Sequence, residues 1–196
     1  MGIRLDDEAL NQLFRDARTF NGFRPDPVPD ETVRQLYELV KWGPTAFNAQ
    51  PARYVFVRSD QAKAKLVETL YGSNREKTLS APLNVIVAYD LRFFEHLPRL
   101  SASSNARALF EGAPHIVEPT ALRNGSLQGA YLILAARALG LGVGVISGFD
   151  ADKLDRAFFP DGRYKANFIA NLGHGDPASV RERAERFAFD EVAQIL

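Results

Sequence analysis

The chain has 196 residues, 46% of them apolar and 24% charged, with 24 Lys and Arg against 24 Asp and Glu. That length suits one domain, residues 1–196, with a sizeable core, and the even charge gives no argument for a nucleic-acid surface or a polybasic membrane patch. No cysteine is present, which excludes disulfides, zinc–thiolate sites, iron–sulfur clusters and thiol nucleophiles together.

The opening residues MGIRLDDEAL lack the apolar core of a signal peptide, and no run reaches membrane-spanning length. The expectation is a cytoplasmic protein. Asp6 or Asp7 can cap a first helix with Leu10, Leu13, Phe14 and Ala17 on one face. Gly22 and the prolines at 25, 27 and 29 then enforce a polar loop carrying Arg18. Asp30 is expected to cap the next helix, whose stripe is Val33, Leu36, Tyr37 and Val40.

That helix runs into KWGPTAFNAQPARYVFVR, residues 41–58. Pro44 stops the helix, and Pro51 biases Gln50 toward extended backbone. Thr45, Asn48 and Gln50 thus sit on a backbone stiffened at both ends, a place to grip the edge of a flat heteroaromatic ligand. By itself the segment also reads as a plain connector into a buried strand, Tyr54 to Val57.

Asp60 is expected to cap a helix with Leu66, Val67 and Leu70, followed by a polar turn from Tyr71 to Arg75. Leu83 to Tyr89 reads as a central strand. Residues 91 to 118 read as a short helix and a long loop. Thr120 to Leu139 is a helix whose expected core face is Leu127, Ala130, Tyr131, Leu134, Ala135 and Ala138, ended by Gly140. Val143 to Ile146 is a strand leading into Ser147-Gly148, and Asp150 caps a helix through Phe159. Phe168 to Leu172 is a fourth strand, and the tail is basic at Arg181, Arg183 and Arg186, then amphipathic to Leu196. Four strands interleaved with about six helices imply an α+β, three-layer α-β-α domain: one sheet flanked by helices.

Several chemistries are missing. The glycines at 140, 142, 144 and 148 fail the G-x-G-x-x-G spacing and precede a strand, where a phosphate turn must follow one. Ser147 lacks the glycine pattern of a nucleophile elbow, because Val145 holds the first position. His96, His115 and His174 form no metal-ligand spacing, so no metal is expected. What remains is polar loops, positive charge and few acid–base groups, the pattern of an enzyme whose cofactor performs the bond chemistry. Taken singly, Arg18, Arg181 and Arg183 read as solvated surface; together with Asn74 and Ser147-Gly148 they offer what a flavin nucleotide needs.

Trp42-Gly43-Pro44-Thr45-Ala46-Phe47-Asn48-Ala49-Gln50-Pro51 resembles the P-[ST]-[ST]-x-N-x-Q-P segment of the FMN-dependent nitroreductase superfamily. The resemblance extends through residues 17–23, 124–141, 146–150 and 171–176. It is nearest the branch that includes the malonic semialdehyde reductases of pyrimidine degradation and members labelled NADH dehydrogenase or NAD(P)H nitroreductase. It implies a homodimer with FMN at the interface and NADH or NADPH as hydride donor, the flavin N5 carrying the chemistry with no catalytic side chain. Arg18 and Thr19 match the segment that holds the FMN phosphate and ribityl chain, and Arg181 and Arg183 match phosphate-binding positions. Asn21 stands where many members have Lys or Arg near the pyrimidine, and a neutral group there implies a lower flavin potential. Pro44, Thr45, Asn48 and Gln50 match residues contributed across the dimer, with Ala46 in place of a second hydroxyl. Asn74 matches an Asn facing the isoalloxazine. Ile146, Ser147 and Gly148 match the segment whose N–H reaches N5, Ser147 replacing a common Glu.

The implied substrate is a small aldehyde such as malonic semialdehyde, reduced to 3-hydroxypropionate, with Arg107, Arg123, Asn124 and Ser126 as candidate contacts. The alternatives are a broad nitroreductase or quinone reductase, and a flavin-binding module without turnover.

Overall fold

Leu83 to Asp90 forms a strand buried along its whole length, as its near-continuous apolar run requires. In this structure, a computed structural model that describes residues 2–196, it is β2 (Leu83–Asp90) of a four-stranded antiparallel sheet. The other strands are β1 (Ala52–Val57), β3 (Gly142–Ile146) and β4 (Tyr164–Gly173), in the order β1-β2-β4-β3. The helices are α1 (Asp7–Leu10), α2 (Asp30–Val40), α3 (Asp60–Val67), α4 (Asn74–Ser80), α5 (Leu97–Leu100), α6 (Ala106–Gly112), α7 (Val117–Ala138), α8 (Ala151–Phe158) and α9 (Phe189–Val192). A π-helical turn, Asn11–Arg15, continues α1.

Side chains alternate across the sheet. Leu83, Val85 and Val87 pack with Leu36 and Val40 of α2 and Leu132 and Ala136 of α7. Ile86 and Ala88 pack with Leu66 of α3 and Leu154 of α8 on the opposite face. This is the three-layer α-β-α arrangement expected. A third cluster, with Phe93, Leu97, Phe110 and Ala121, includes Ala49 and Tyr89 and closes the end of β2.

Two features set the position of α7 and of the strand ends. A Cβ on Gly129 would lie 2.5 Å from the Phe168 ring and 3.4 Å from Val87, and one on Gly125 would lie 3.2 Å from Tyr89 Cβ. Bare backbone at these positions lets α7 lie close against β2 and β4. At the end of β2, the fully buried Asp90 carboxylate accepts from Arg53 Nη2 at 2.6 Å and from Arg163 Nε and Nη2 at 2.9 and 3.0 Å. Its hydrogen bond to Asp90 holds the Arg163 pKa up, and the three groups fasten β1 and β4 to β2.

Several expectations need correction. Pro29, not Asp30, is the extended N-cap of α2, and Ser59, not Asp60, caps α3. Both aspartates lie in the first turn, where their charge still favours the helix dipole. The polar turn after Tyr71 opens into α4 at Asn74, a helix with no apolar stripe to announce it. Residues 91–118 hold several short helices around Phe93, Leu97 and Phe110. α7 starts at Val117, with Pro119 tolerated in its first turn. The amphipathic tail forms one turn of helix, α9, whose residues are all exposed.

Gly129→Ala tests the close approach of α7. Alanine adds roughly 1 kcal/mol of helix propensity, but forcing a methyl against Phe168 costs about 1–3 kcal/mol. The urea midpoint is expected to fall; a rise would show that the contact has room to spare.

Candidate functional site

The loop after α2 is held in a conformation its residues do not prefer. Thr45 is extended, and Phe47, Asn48 and Gln50 all have positive φ, at 56°, 52° and 42°. Gln50 is therefore not in the extended backbone expected before Pro51. Left-handed non-glycine residues cost roughly 1–3 kcal/mol each, so the surroundings must impose this shape. Asn124 and Gln128 of α7 do so, one turn apart on one helix face. Asn124 Oδ1 accepts from Ala46 N–H at 2.8 Å and Gln128 Oε1 from Ala52 N–H at 2.9 Å; the two residues are only 3% and 4% exposed.

Within the loop, Thr45 Oγ1 accepts from Gln50 N–H at 3.1 Å. Asn48 Nδ2 donates to the Leu100 carbonyl at 2.9 Å, and Gln50 Nε2 donates to Asn48 Oδ1 at 3.0 Å. Ala49 is buried, and the Phe47 ring stands edge-on to Phe110 at 5.8 Å. These bonds leave the Thr45 hydroxyl proton available. A cavity of about 510 Å³ lies on the Gln50 side, walled by Lys41, Arg53, Tyr54, His96 and Arg99.

A second group of candidates gathers along β3. This strand pairs with β4 on one side, and its other edge meets only the bridge between Thr19 and Val143. Past Ile146, the N–H groups of Ser147 and Gly148 find no backbone acceptor among the described residues. The Gly148 carbonyl accepts from Tyr71 N–H and from Asn74 Nδ2, each at 3.1 Å. A Cβ on Gly148 would come within 2.5 Å of Asn74 Nδ2, so the absence of a side chain is what lets Asn74 reach this turn. Val145 is 44% exposed on the same strand.

The basic residues meet at the other end of β3. Arg18 donates to the Arg181 carbonyl. Arg183 Nη2 donates to the carbonyls of Arg15 and Ala17 at 2.6 and 3.1 Å, and Asn21 Nδ2 to that of Ser179 at 3.1 Å. Among the described residues, Arg18, Arg181 and Arg183 form no ion pair. Arg18 also lines a cavity of about 540 Å³.

The four substrate candidates are not brought together with either group in the same way. Asn124 is buried and occupied, its Nδ2 donating to the Thr120 carbonyl at 2.9 Å. Ser126 Oγ donates to the Leu122 carbonyl at 2.8 Å and accepts from Asn167 Nδ2 at 2.9 Å. Arg107 is ion-paired with Glu111 at 2.7 Å, and Arg123 is exposed. None of the four lines the two cavities just described.

The residues missed from sequence are Gln128 and the Asp90 cluster. Only the buried face of α7 could have pointed to Gln128. No group of three or more His, Cys, Asp or Glu side chains able to hold a metal occurs among the described residues, and no helix is long and apolar enough to cross a membrane.

An antiparallel sheet between helical layers thus carries a clamped polar loop and an open strand edge. The sequence model of the Nitroreductase family matches residues 14–174, and the chain belongs to that family. A relative from Stenotrophomonas maltophilia, "Putative NADH dehydrogenase/NAD(P)H nitroreductase", is 55% identical over 195 residues, covering 100% of both chains. A relative of the same description from Burkholderia lata is 53% identical over 191 residues, covering 97% of this chain and 98% of the other. Among solved structures, a nitroreductase family protein from Streptococcus pneumoniae superposes with a TM-score of 0.81 at 24% identity, over 96% of this chain and 98% of that one. A structure from Exiguobacterium sibiricum, described as a nitroreductase in complex with FMN, gives 0.84 at 17% identity over 100% of both chains.

Asn124→Ala removes the acceptor for Ala46 N–H and leaves a buried donor unpaired, a loss of about 1–3 kcal/mol. Amide exchange in residues 45–50 is expected to accelerate while β2 stays protected. Unchanged exchange in the loop would show that Asn124 does not impose its shape.

Proposed function

We propose that this chain is an FMN-dependent NAD(P)H oxidoreductase that works as a homodimer, residues 1–196 forming one flavin-binding domain. The observation that carries the reading is the Ser147-Gly148 turn. Two N–H groups without acceptors stand at the end of an open strand edge, beside Asn74 and on the same strand as the exposed Val145. With arginines lacking carboxylate partners at the other end of that edge, these residues fit a flavin mononucleotide: cations for the phosphate, donors for the ring. Bound FMN would supply the redox chemistry, hydride transfer between a reduced nicotinamide and the substrate.

The chain's own residues bind and orient. Arg18, Thr19, Arg181 and Arg183 hold the phosphate and ribityl chain. Asn74, and Asn21 from its place beside Ser179, would donate along the pyrimidine edge, and Ile146 to Gly148 would present backbone to the ring. Because Asn21 is neutral, it stabilises an anionic reduced flavin less than Lys or Arg would, which lowers the potential.

Pro44, Thr45, Asn48 and Gln50 serve the flavin of the partner subunit. The hydrogen bonds of this loop run to α7 and Leu100, whereas those of the β3 edge and its turn run to Phe20, Tyr71 and Asn74. The two groups share no residue, as expected of two halves contributed by two copies. Tyr37, Leu39, Trp42, Leu122, Leu127 and Tyr131 are exposed on α2, α7 and the loop between, with Trp42 at 76%. An apolar surface of this kind favours association.

The substrate is a small aldehyde acid such as malonic semialdehyde, reduced to 3-hydroxypropionate. Asn124 and Ser126 are engaged internally, which leaves Arg123, and Arg107 if it releases Glu111, to bind the carboxylate. A second reading, a nitroreductase or quinone reductase with an open site, is favoured by the descriptions of the relatives. A flavin-binding module without turnover is the reading from another class.

Anaerobic addition of NADH or NADPH to the purified yellow protein is expected to bleach it, and malonic semialdehyde to restore the colour faster than nitrofurazone or benzoquinone. Arg123→Ala with Arg107→Ala should slow the aldehyde acid alone. Equal rates for all three substrates favour the second reading. A yellow protein that no nicotinamide bleaches is the non-catalytic module, and a colourless protein that takes up no FMN contradicts all three.

A further inference from the structure

Arg137 lies in the last turn of α7 and was not among the residues that sequence singled out. Its Nη1 donates to the Leu13 carbonyl at 2.9 Å, which ties α7 to the π-helical turn after α1. That tether accounts for one end of the side chain only. Nε is buried and has no hydrogen-bond partner, an arrangement that normally costs free energy.

The surroundings add a second anomaly. Arg137 lines the same cavity as Arg18 and Ala17. Arg183, whose Nη2 bonds the Ala17 carbonyl, lies close enough to add to the effect of burial, and the two together lower the Arg137 pKa. Among the described residues, Arg15, Arg24, Arg53, Arg58, Arg107 and Arg163 are ion-paired, whereas Arg75, Arg123 and several other arginines scattered over the surface are not. Arg18, Arg137 and Arg183 have no ion pair among the described residues, although one acid, Asp16, is on the cavity wall. The carbonyls of Leu13, Arg15 and Ala17 that receive these guanidinium groups are at a helix C-terminus, worth at most about half a negative charge. Three cations gathered on half a charge and one exposed aspartate leave a deficit of negative charge at this corner.

We infer that Arg137 is a further phosphate-binding residue, joining Arg18, Arg181 and Arg183 in holding the dianionic phosphate monoester of the flavin nucleotide. This rests on the FMN reading above. A phosphate in the cavity supplies the negative charge that the cluster lacks and acceptor oxygens for Arg137 Nη2, which has no partner among the described residues. A tether to Leu13 alone would meet neither.

Riboflavin lacks the phosphate and shares the rest of the flavin, so the exchange of bound FMN for riboflavin isolates the phosphate contact. On the holoprotein, Arg137→Ala is expected to shift that exchange constant toward riboflavin by about 10- to 100-fold, and Arg137→Lys by less. Arg137→Gln, which keeps a donor for Leu13, should shift it like alanine and serves where alanine fails to fold. An unchanged exchange constant, even with both flavins bound more weakly, reduces Arg137 to a structural tether and overturns the inference. A shift confined to the KM for NADPH assigns the residue to the dinucleotide phosphate and overturns it too. If the wild-type protein takes up no FMN, the functional reading and this one fall together, an outcome distinct from either.

Discussion

Two amide side chains on one face of α7 impose the constraint on which the rest of this molecule depends. Asn124 and Gln128 stand on successive turns and take the N–H groups of Ala46 and Ala52, on either side of three residues with positive φ. A free chain would not hold Phe47, Asn48 and Gln50 in that conformation. The clamp works only because α7 is itself fixed, with Gly125 and Gly129 letting it lie close to Tyr89, Val87 and Phe168. Small residues in a helix thus set the height of a loop some eighty positions earlier in the chain. The result is a rigid polar shelf presenting Thr45, with no glycine in the turn itself.

The other half of the site is built differently. It is an open strand edge, and an edge normally invites another chain. Here the bridge to Thr19 covers its start, and the Gly148 turn leaves donors free at its end. Arginines without carboxylate partners occupy the opposite end. A shelf and an edge that share no hydrogen bond within one chain make functional sense as parts of a single site when two chains meet.

Much of the fold was legible in the sequence because the strands are apolar runs and the stripe of α2 does bury Leu36 and Val40. Helix α7, by contrast, buries Ala121, Asn124, Gly125, Gln128, Gly129 and Leu132 and leaves Leu127, Ala130, Tyr131 and Ala138 of its expected face exposed. The polar loops and the β3 turn were legible as irregular connections between elements, since flanking prolines and a bare Gly148 act locally. What escaped depends on distant partners or on weak local signals. Helix α4, with Asn-Arg-Glu-Lys at its start, buries only Thr78 and so shows no stripe. Asp90 reads as an ordinary polar strand end until Arg53 and Arg163, 37 and 73 residues away, enclose it. Asn124 stood among the substrate candidates as a donor near a helix start; its use as a clamp is visible only once Ala46 is beside it. The positive φ of Gln50 runs against the local bias before proline, and the clamp overrides that bias.

The central claim is that each flavin site joins the arginine corner of one chain to the Thr45–Asn48 shelf of another. Mixed dimers test it most directly. One chain carries Thr45→Ala with Asn48→Ala and keeps its arginines; the other carries Arg18→Ala with Arg183→Ala and keeps its loop. Two differently tagged chains allow the mixed species to be purified and its FMN counted by absorbance, against homodimers of each variant that bind none. If the shelf serves the partner's flavin, one site in the mixed dimer has both halves intact and one FMN per dimer is bound. If each shelf serves its own chain's flavin, every site carries a lesion and the mixed dimer is colourless, which would contradict the account.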